Sequence, residues 1–296
     1  MSVAGIKPTE VLVTSEVGLA GGFENVYFAI DLSSSMGVAS TPAGRALLMQ
    51  LSKPYMPRRY YDDGSRSEGC LYACHEREGW EPRGETLYDW AKNNNIEIRE
   101  DVVVEQMAAI SQKLIDGTAG GGDRVKVGVM AFSETMQVLV RPTTDLTQLS
   151  DPVSRARLRR NSTLYNVVMP QITREVGNSG DGSSEGSPRK TLILITDGVY
   201  VGDRRNFLSR EFNSRECNTL KSSGVNVIVV NVKYVEDRGN YLFEDLVAPF
   251  YDRIAPELTA CASSGKYYEA TDTDDIVATF DILANNILAG QIRLTH

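Results

Sequence analysis

The fold of this chain is clearest in the stretch VYFAIDLSSSMG, residues 26–37. Its first half is a nearly continuous apolar run, which is typical of a strand covered on both faces of a parallel sheet. The run ends in Asp31, and Ser33 and Ser35 follow at two-residue spacing, so one loop can direct all three side chains to one point. Ligands of open α/β sheets bind at the carboxyl ends of the strands. The stretch therefore predicts a buried strand that leads into a binding loop.

Several other segments of the chain are short, apolar and rich in β-branched residues, as expected for strands. Segments with apolar positions at helical spacing separate them. The predicted strands are 26–32, 124–133, 136–142, 191–198, 225–235 and 266–271, and the predicted helices are 99–117, 162–177, 214–224 and 273–290. Because strands alternate with helices, we expect an α/β fold with a mostly parallel sheet, and a tight hairpin at 133–135.

Two segments interrupt this alternation. Residues 177–190 are rich in glycine and serine and predict a mobile surface loop. Residues 38–98 are too many for a plain loop and predict an ordered insertion after the first strand. We therefore expect residues 1–296 to form a single domain that contains the insertion.

The composition excludes some classes of function. The chain has 31 basic and 39 acidic residues and a formal net charge of -8, which argues against nucleic acid as the main partner. The basic run at 155–160 is explained more simply as a solvated helix face. No apolar run is long enough to cross a bilayer. The start of the chain lacks the pattern of a signal peptide, which leaves a cytosolic protein or a shortened chain as the alternatives.

The chain has four cysteines, Cys70, Cys74, Cys217 and Cys261. The short spacing of the first two favours a local disulfide, and the other two would then pair over a long loop. Such pairing requires an oxidising compartment, and four unpaired thiols are the alternative. With His75, the first two cysteines also permit a zinc site, although the fourth ligand is not evident. Haem attachment is disfavoured, because the haem motif C-x-x-C-H has two residues between its cysteines and this sequence has one more between Cys70 and Cys74.

Oxygen-bearing side chains recur at three predicted strand and helix ends. LILITDG (192–198) brings Asp197 to the end of another buried strand. Thr163, at the start of a predicted helix, supplies a further hydroxyl. Carboxylates and hydroxyls are hard donors that suit Mg²⁺, or alternatively Mn²⁺ or Ca²⁺, rather than zinc. The predicted metal ligands are Asp31, Ser33, Ser35, Thr163 and Asp197.

This set resembles the metal-ion-dependent adhesion site of von Willebrand factor A domains. D-x-S-x-S at the end of the first strand, a threonine opening a later helix and T-D-G at the end of the fourth strand carry the resemblance. The resemblance implies a doubly wound sheet of six strands with one antiparallel edge strand, which the hairpin at 124–142 would supply. It also implies that Asp31, Ser33 and Ser35 contact the metal, that Thr163 contacts it directly or through water, and that Asp197 acts through water.

A narrower resemblance is to the TadG-like proteins of bacterial Tad/Flp pilus systems. It rests on GCLYACH (69–75), YDWAKNNNIEIREDVVVEQM (88–107), ACASSGKYYEATDTDDIVATFDILANNI (260–287) and QIRLT (291–295). The resemblance implies an A domain outside the inner membrane, preceded by a membrane segment that this sequence does not contain. It also implies both disulfides, and pilin or pilus-assembly proteins as partners.

The sequence leaves three hypotheses for function. The leading one is a periplasmic or extracellular, pilus-associated domain that binds a protein or surface ligand whose carboxylate completes the metal's coordination. The second is a structural component that caps or primes a pilus, with a purely structural metal. The third is a cytosolic adaptor of an ATPase. An enzyme is not expected, because a nucleophilic serine needs a general base, and His75 is the only internal histidine.

Overall fold

The computed structural model describes residues 22–55, 69–73, 84–117, 124–158, 162–201, 209–238 and 241–291. Its strands, numbered along the chain, are β1 (Glu24–Asp31), β2 (Val125–Phe132), β3 (Met136–Thr143), β4 (Arg189–Thr196), β5 (Val199–Val201), β6 (Ser209–Glu211), β7 (Asn226–Val232) and β8 (Tyr267–Ala270). Six of them form one sheet in the order β3-β2-β1-β4-β7-β8, and β5 pairs with β6 separately. All pairs in the large sheet are parallel except β2 with β3. The predicted α/β fold and its antiparallel edge are confirmed.

The described helices cover both faces of this sheet. They are α1 (Pro42–Ser52), α2 (Leu87–Asn93), α3 (Arg99–Asp116), α4 (Leu146–Leu149), α5 (Tyr165–Val176), α6 (Asn218–Ser222), α7 (Tyr241–Glu244), α8 (Tyr251–Cys261) and α9 (Thr273–Gln291). Among the residues that the structure describes, no helix combines the length and the apolar character that a membrane crossing requires.

Side chains of the strands alternate between two apolar layers, as the period of a strand requires. From β1, Phe28 and Ile30 enter the layer that contains α3 and α9, whereas Tyr27 and Ala29 enter the layer that contains α5 and α8. All four are buried. The sheet is therefore covered on both faces, as the apolar run of β1 predicted.

Among the helices that differ from the sequence prediction are α5 and α8. The helix predicted at 162–177 begins only at Tyr165, and no side chain caps it. Helix α8 was not predicted, because Pro256 lies inside it and it too has no capping side chain. Its apolar face is nevertheless buried through Ile254 and Leu258, so tertiary packing supplies what the local sequence lacks.

The segment predicted as a mobile loop is hydrogen bonded at both ends. The amide of Gly182 donates to Ser187 O, and that of Gly180 donates to Pro188 O. Its Gly182 oxygen also accepts from the amide of Phe23, and the amide of Ser179 donates to Ser223 O. The segment is therefore held against Phe23, just before β1, and Ser223, before β7, whereas its mobility stays a prediction.

The region between β1 and α3 contains the described parts of the predicted insertion. Helix α1 is capped by Thr41, and α2 begins with a capping box formed by Thr86 and Asp89. The region has a small apolar cluster of its own, built from Ala39, Leu48, Ala73, Ala91, Ile96 and Ile98. Its limits at 38 and 98, and the extent of the single domain, stay predictions.

A disulfide joins Cys217, which precedes α6, to Cys261 at the end of α8. The predicted pairing of these two cysteines is confirmed. The predicted pair Cys70–Cys74 and the zinc alternative with His75 cannot be followed in the same way, because Cys74 and His75 lie outside the described residues.

Replacing both Cys217 and Cys261 with alanine is expected to lower the free energy of unfolding by between about 2 and 4 kcal/mol. The disulfide closes a loop of 44 residues, so the unfolded chain gains entropy when the bond is lost. Urea unfolding of the purified domain measures the difference. An unchanged unfolding midpoint would contradict a stabilising role for this bond.

Candidate functional site

Asp31 is the last residue of β1 and is fully buried. The amide of Ser33 donates to its Oδ1 at 2.9 Å, and the hydroxyl of Thr196 donates to its Oδ2 at 2.6 Å. The hydroxyl of Tyr165 lies 2.6 Å from that of Thr196 and 3.4 Å from Oδ2. These contacts fix the orientation of the carboxylate at the edge of the sheet.

Ser33 and Ser35 occupy the turn that follows β1. Their hydroxyl oxygens are 3.0 Å apart, and the amide of Met36 donates to Ser33 O at 3.0 Å to close the turn. Met36 is fully buried and anchors the loop in the core. Ser33 is buried and Ser35 half-buried, so the two-residue spacing does bring both hydroxyls together beside Asp31.

Asp197 directly follows β4, which is the neighbour of β1 in the sheet. The amide of Val199 donates to its Oδ1 at 3.0 Å, and Gly198 makes the turn at a φ of 73°. The other oxygen, Oδ2, is buried and has no hydrogen-bond partner among the described residues. An unpartnered buried carboxylate oxygen is costly, so it indicates a binding role.

Thr163 is fully buried just before α5. Its carbonyl accepts from the amide of Val201 at 3.2 Å, and the next amide, that of Leu164, donates to Ser133 O at 3.0 Å. Its hydroxyl has no hydrogen-bond partner within the described part of the chain. Because α5 begins at Tyr165 and no side chain caps it, the hydroxyl of Thr163 is not used by the helix.

The two aspartates influence each other's ionisation. Burial raises the pKa of both carboxyls above the ordinary range. The negative charge of Asp197 raises the pKa of Asp31 further. The hydroxyl of Ser35 and the positive charge of Arg99 oppose the rise at Asp197. Two buried carboxylates that repel each other form a place where a cation is favoured.

Arg99 is a component of this edge that the sequence analysis missed. It is buried at the first position of α3, and its guanidinium donates to Lys233 O and Thr271 O, both at 2.7 Å. Burial lowers its pKa to about 10, whereas the charge of Asp197 opposes this. A cation at a helix N-terminus opposes the helix dipole. That local conflict was the available signal that Arg99 has another role.

Thr196 and Tyr165 were also missed as members of the site. Both orient Asp31 through hydrogen bonds but would not themselves be counted as metal ligands. Thr196 is visible in the sequence only as the residue before Asp197, and Tyr165 only as a helix residue. Their role depends on the neighbouring positions of β1 and β4 in the sheet, which local pattern does not reveal.

Comparisons with known proteins identify the family to which this architecture belongs. The family model described as von Willebrand factor type A domain matches residues 97–280. The match includes Thr163 and Asp197 and begins at residue 97, two residues before α3. No protein with a curated function matches the sequence.

Several solved structures share the fold, and two of them are described here. The pilus adhesin SpaC from Lactobacillus rhamnosus GG is 13% identical with a TM-score of 0.52, and the match covers 91% of this chain and 30% of SpaC. The vWF domain of the type V pili tip protein Mfa5 from Porphyromonas gingivalis is 12% identical with a TM-score of 0.51, covering 93% of this chain and 98% of that one. This chain thus spans less than a third of SpaC. With the sheet order and the family match, these findings show that the chain belongs to the von Willebrand factor type A domain family.

Proposed function

We propose that this domain binds a protein or surface ligand through a divalent cation held by Asp31, Ser33, Ser35, Thr163 and Asp197. The observation that carries the proposal is the pair of buried, unpartnered oxygens, Thr163 Oγ1 and Asp197 Oδ2. Native proteins leave few such atoms unsatisfied. Both belong to residues that the sequence analysis had selected as ligands for other reasons.

The chemistry of the donors favours a hard cation. The site supplies two carboxylates and three hydroxyls, and no group of three or more histidine, cysteine or acidic side chains suited to a metal occurs in the described ranges. Oxygen donors of this kind suit Mg²⁺, with Mn²⁺ or Ca²⁺ as alternatives. When bound, the ion would supply an electrophilic position for a ligand carboxylate.

Neighbouring residues hold the two proposed aspartate ligands in position. Thr196 and the amide of Ser33 hold the Asp31 carboxylate in place. Gly198 lets the chain turn so that Asp197 stays at the sheet edge. Two carboxylates and three hydroxyls would leave open coordination positions on a divalent ion, and an acidic group of a partner would fill one of them most strongly where water is partly excluded.

The region between β1 and α3 borders the same edge. The amide of Ala73 donates to Gly37 O at 2.6 Å, directly after the serine loop. The hydroxyls of Tyr72 and Tyr234 are 2.6 Å apart, which ties this region to the end of β7. These contacts support a role of the predicted insertion as a wall beside the metal residues, where it would set the specificity for the ligand.

The location and partners of the protein are part of the proposal. We assign it to the periplasm or the cell exterior, associated with a pilus, as in the TadG-like proteins it resembles, with pilin or pilus-assembly proteins as partners. The disulfide Cys217–Cys261 supports an oxidising compartment and disfavours the cytosolic adaptor. The shared fold of SpaC and Mfa5 is compatible with a pilus role but shows the fold alone.

We propose a binding role rather than catalysis for the same residues. The hydroxyls of Ser33 and Ser35 lie 3.0 Å from each other, and the nearby carboxylates of Asp31 and Asp197 each accept a hydrogen bond from a backbone amide. Neither arrangement activates a nucleophile in the manner of a serine, histidine and aspartate triad.

A titration of Mg²⁺, Mn²⁺ and Ca²⁺ against thermal unfolding tests the proposal. An ion that binds only the folded state stabilises it by about 2.7 kcal/mol at a concentration of 100 times its dissociation constant. For a chain of this size, that is a rise of about 5 °C in the melting temperature. The rise should saturate and reverse on addition of EDTA. A melting temperature independent of all three ions would refute a metal site in the folded protein.

A further inference from the structure

A separate cavity lies where β7 and β8 end, and we refer to it as the β7–β8 cavity. Its volume is about 170 Å³. The lining residues used below are Asn231, Lys233, Tyr234, Tyr251, Asp252 and Glu269. Since a cavity of about 150 Å³ can hold a benzene molecule, this one can accommodate the end of a side chain or a small molecule.

The hydrogen bonds around Asn231 determine which of its atoms lacks a partner. Tyr267 donates its one hydroxyl proton to Glu269 Oε2 at 2.8 Å. Its oxygen must then accept from Asn231, which donates through Nδ2 at 2.9 Å. This chain of bonds assigns the nitrogen of the amide to Tyr267, so the remaining atom, Oδ1, is an acceptor.

Asn231 Oδ1 is buried and has no hydrogen-bond partner among the described residues. Asn231 is only 2% exposed and is the residue before the last one of β7. A buried acceptor without a partner costs free energy, so a ligand that donates a hydrogen bond is favoured at this position.

The charges and rings of the cavity favour a donor that is also a cation. Asp252 and Glu269 contribute two carboxylates, whereas Lys233 contributes one ammonium group, whose Nζ is 3.3 Å from Glu269 Oε1. The net charge of these lining groups is therefore negative. The rings of Tyr234 and Tyr251 also line the cavity, and aromatic faces attract ammonium and guanidinium groups.

The cavity is close to the candidate metal residues. Ile254 lines it, and an added side-chain carbon on Gly198 would lie 2.6 Å from Ile254. Gly198 directly follows Asp197, so only this close packing separates the two sites. A protein that docks on the metal edge would therefore lie close to residues that line the β7–β8 cavity.

We propose that the β7–β8 cavity binds an ammonium or guanidinium group, carried by a lysine or arginine side chain of the partner protein. The cation chemistry rests on the cavity alone. The assignment of the cation to a protein partner rests on the proposed function. Asn231 accepts a hydrogen bond from the cation, and Asp252 and Glu269 supply the opposite charge.

Nuclear magnetic resonance of the isotope-labelled chain in EDTA tests the proposal without any metal. The probes are lysine and arginine with acetylated amino and methylamidated carboxyl ends, the equally blocked neutral norleucine, and the free diamine putrescine. The two blocked basic residues are expected to shift the side-chain amide signals of Asn231 saturably, and norleucine to leave them unchanged. The double variant Asp252→Asn/Glu269→Gln should bind them at least about tenfold more weakly.

The matched control is Asp116→Asn/Asp274→Asn, which removes the same charge from two exposed positions of α3 and α9 and should leave probe binding unchanged. Three results would overturn the proposal. Equal shifts with norleucine would show an apolar pocket, and no shifts with any probe would show a cavity that holds only water. Shifts with putrescine alone would assign the cation to a free amine rather than to a protein side chain. Because EDTA is present, none of these results depends on the metal site.

Discussion

The Asp31→Asn variant is expected to fold and to bind Mn²⁺ at least about 100-fold more weakly than the unchanged domain. The substitution keeps the size of the side chain and its hydrogen bonding with Thr196, but it removes one of the two carboxylates of the site. Since three of the remaining proposed ligands are neutral hydroxyls, Asp197 alone must then balance the charge of the ion. Electron paramagnetic resonance of free and bound Mn²⁺ measures the affinity.

Asp116→Asn is the matched control for this variant, because Asp116 is exposed at the end of α3 opposite to Arg99. It should bind Mn²⁺ as the unchanged domain does. If Asp31→Asn bound Mn²⁺ as tightly as the unchanged domain, Asp31 would not be a metal ligand. In cells that display the protein, the variant should reduce attachment as much as EDTA does. Attachment that persists after metal binding is lost would favour the purely structural role.

The metal-free domain is expected to lose stability as the pH rises from about 4 to about 7. In the folded protein, burial and the charge of Asp197 raise the pKa of Asp31 from 3.8 to about 7. Across this interval the unfolded chain releases the proton while the folded chain retains it, so deprotonation favours unfolding. The effect of Asp31 alone is about 4 kcal/mol, since one pH unit of difference is worth about 1.4 kcal/mol.

Saturating Mg²⁺ should reverse this trend, because the ion binds the deprotonated carboxylates and competes with protons. Urea unfolding at a series of pH values, with EDTA or with Mg²⁺, gives both curves. Asp31→Asn provides the control and should show a smaller pH dependence in EDTA. A metal-free domain whose stability rises between pH 4 and pH 7 would contradict the repulsion between the two aspartates.

The central sheet could be predicted because each of its main strands is recognisable from its own local sequence. The apolar runs of β1, β4 and β7 are long enough to exclude other structures, and Asp31 and Asp197 mark where the first two end. The helices were harder, since α8 contains Pro256 and lacks a capping side chain, and its helical state depends on burial against the sheet.

Only the proposed metal ligands of the candidate site could be predicted from the sequence, and not the residues that support them. Asp31, Ser33 and Ser35 lie within one loop, so their spacing alone indicates a common target. Thr196 and Arg99 act on the site across the sheet, through Asp31 Oδ2 and the charge of Asp197. Residues brought together by strand order rather than by spacing leave no periodic pattern in the sequence.

Arg99 illustrates how the missed residues connect the site to the rest of the fold. Its guanidinium binds carbonyl oxygens of Lys233, after β7, and of Thr271, before α9. Its own amide donates to Val38 O at 2.9 Å, close to the serine loop. Through its backbone amide and its buried side chain, Arg99 thus joins the loop after β1 to the start of the last helix.

A crystal of the domain soaked in Mn²⁺ and measured at a wavelength where manganese scatters anomalously tests the central claim most directly. The account predicts one strong anomalous peak at the end of β1 and β4, in contact with the oxygens of Asp31 and Ser33. A fully occupied Mn²⁺ site elsewhere on the domain, with no peak between Asp31 and Asp197, would contradict it.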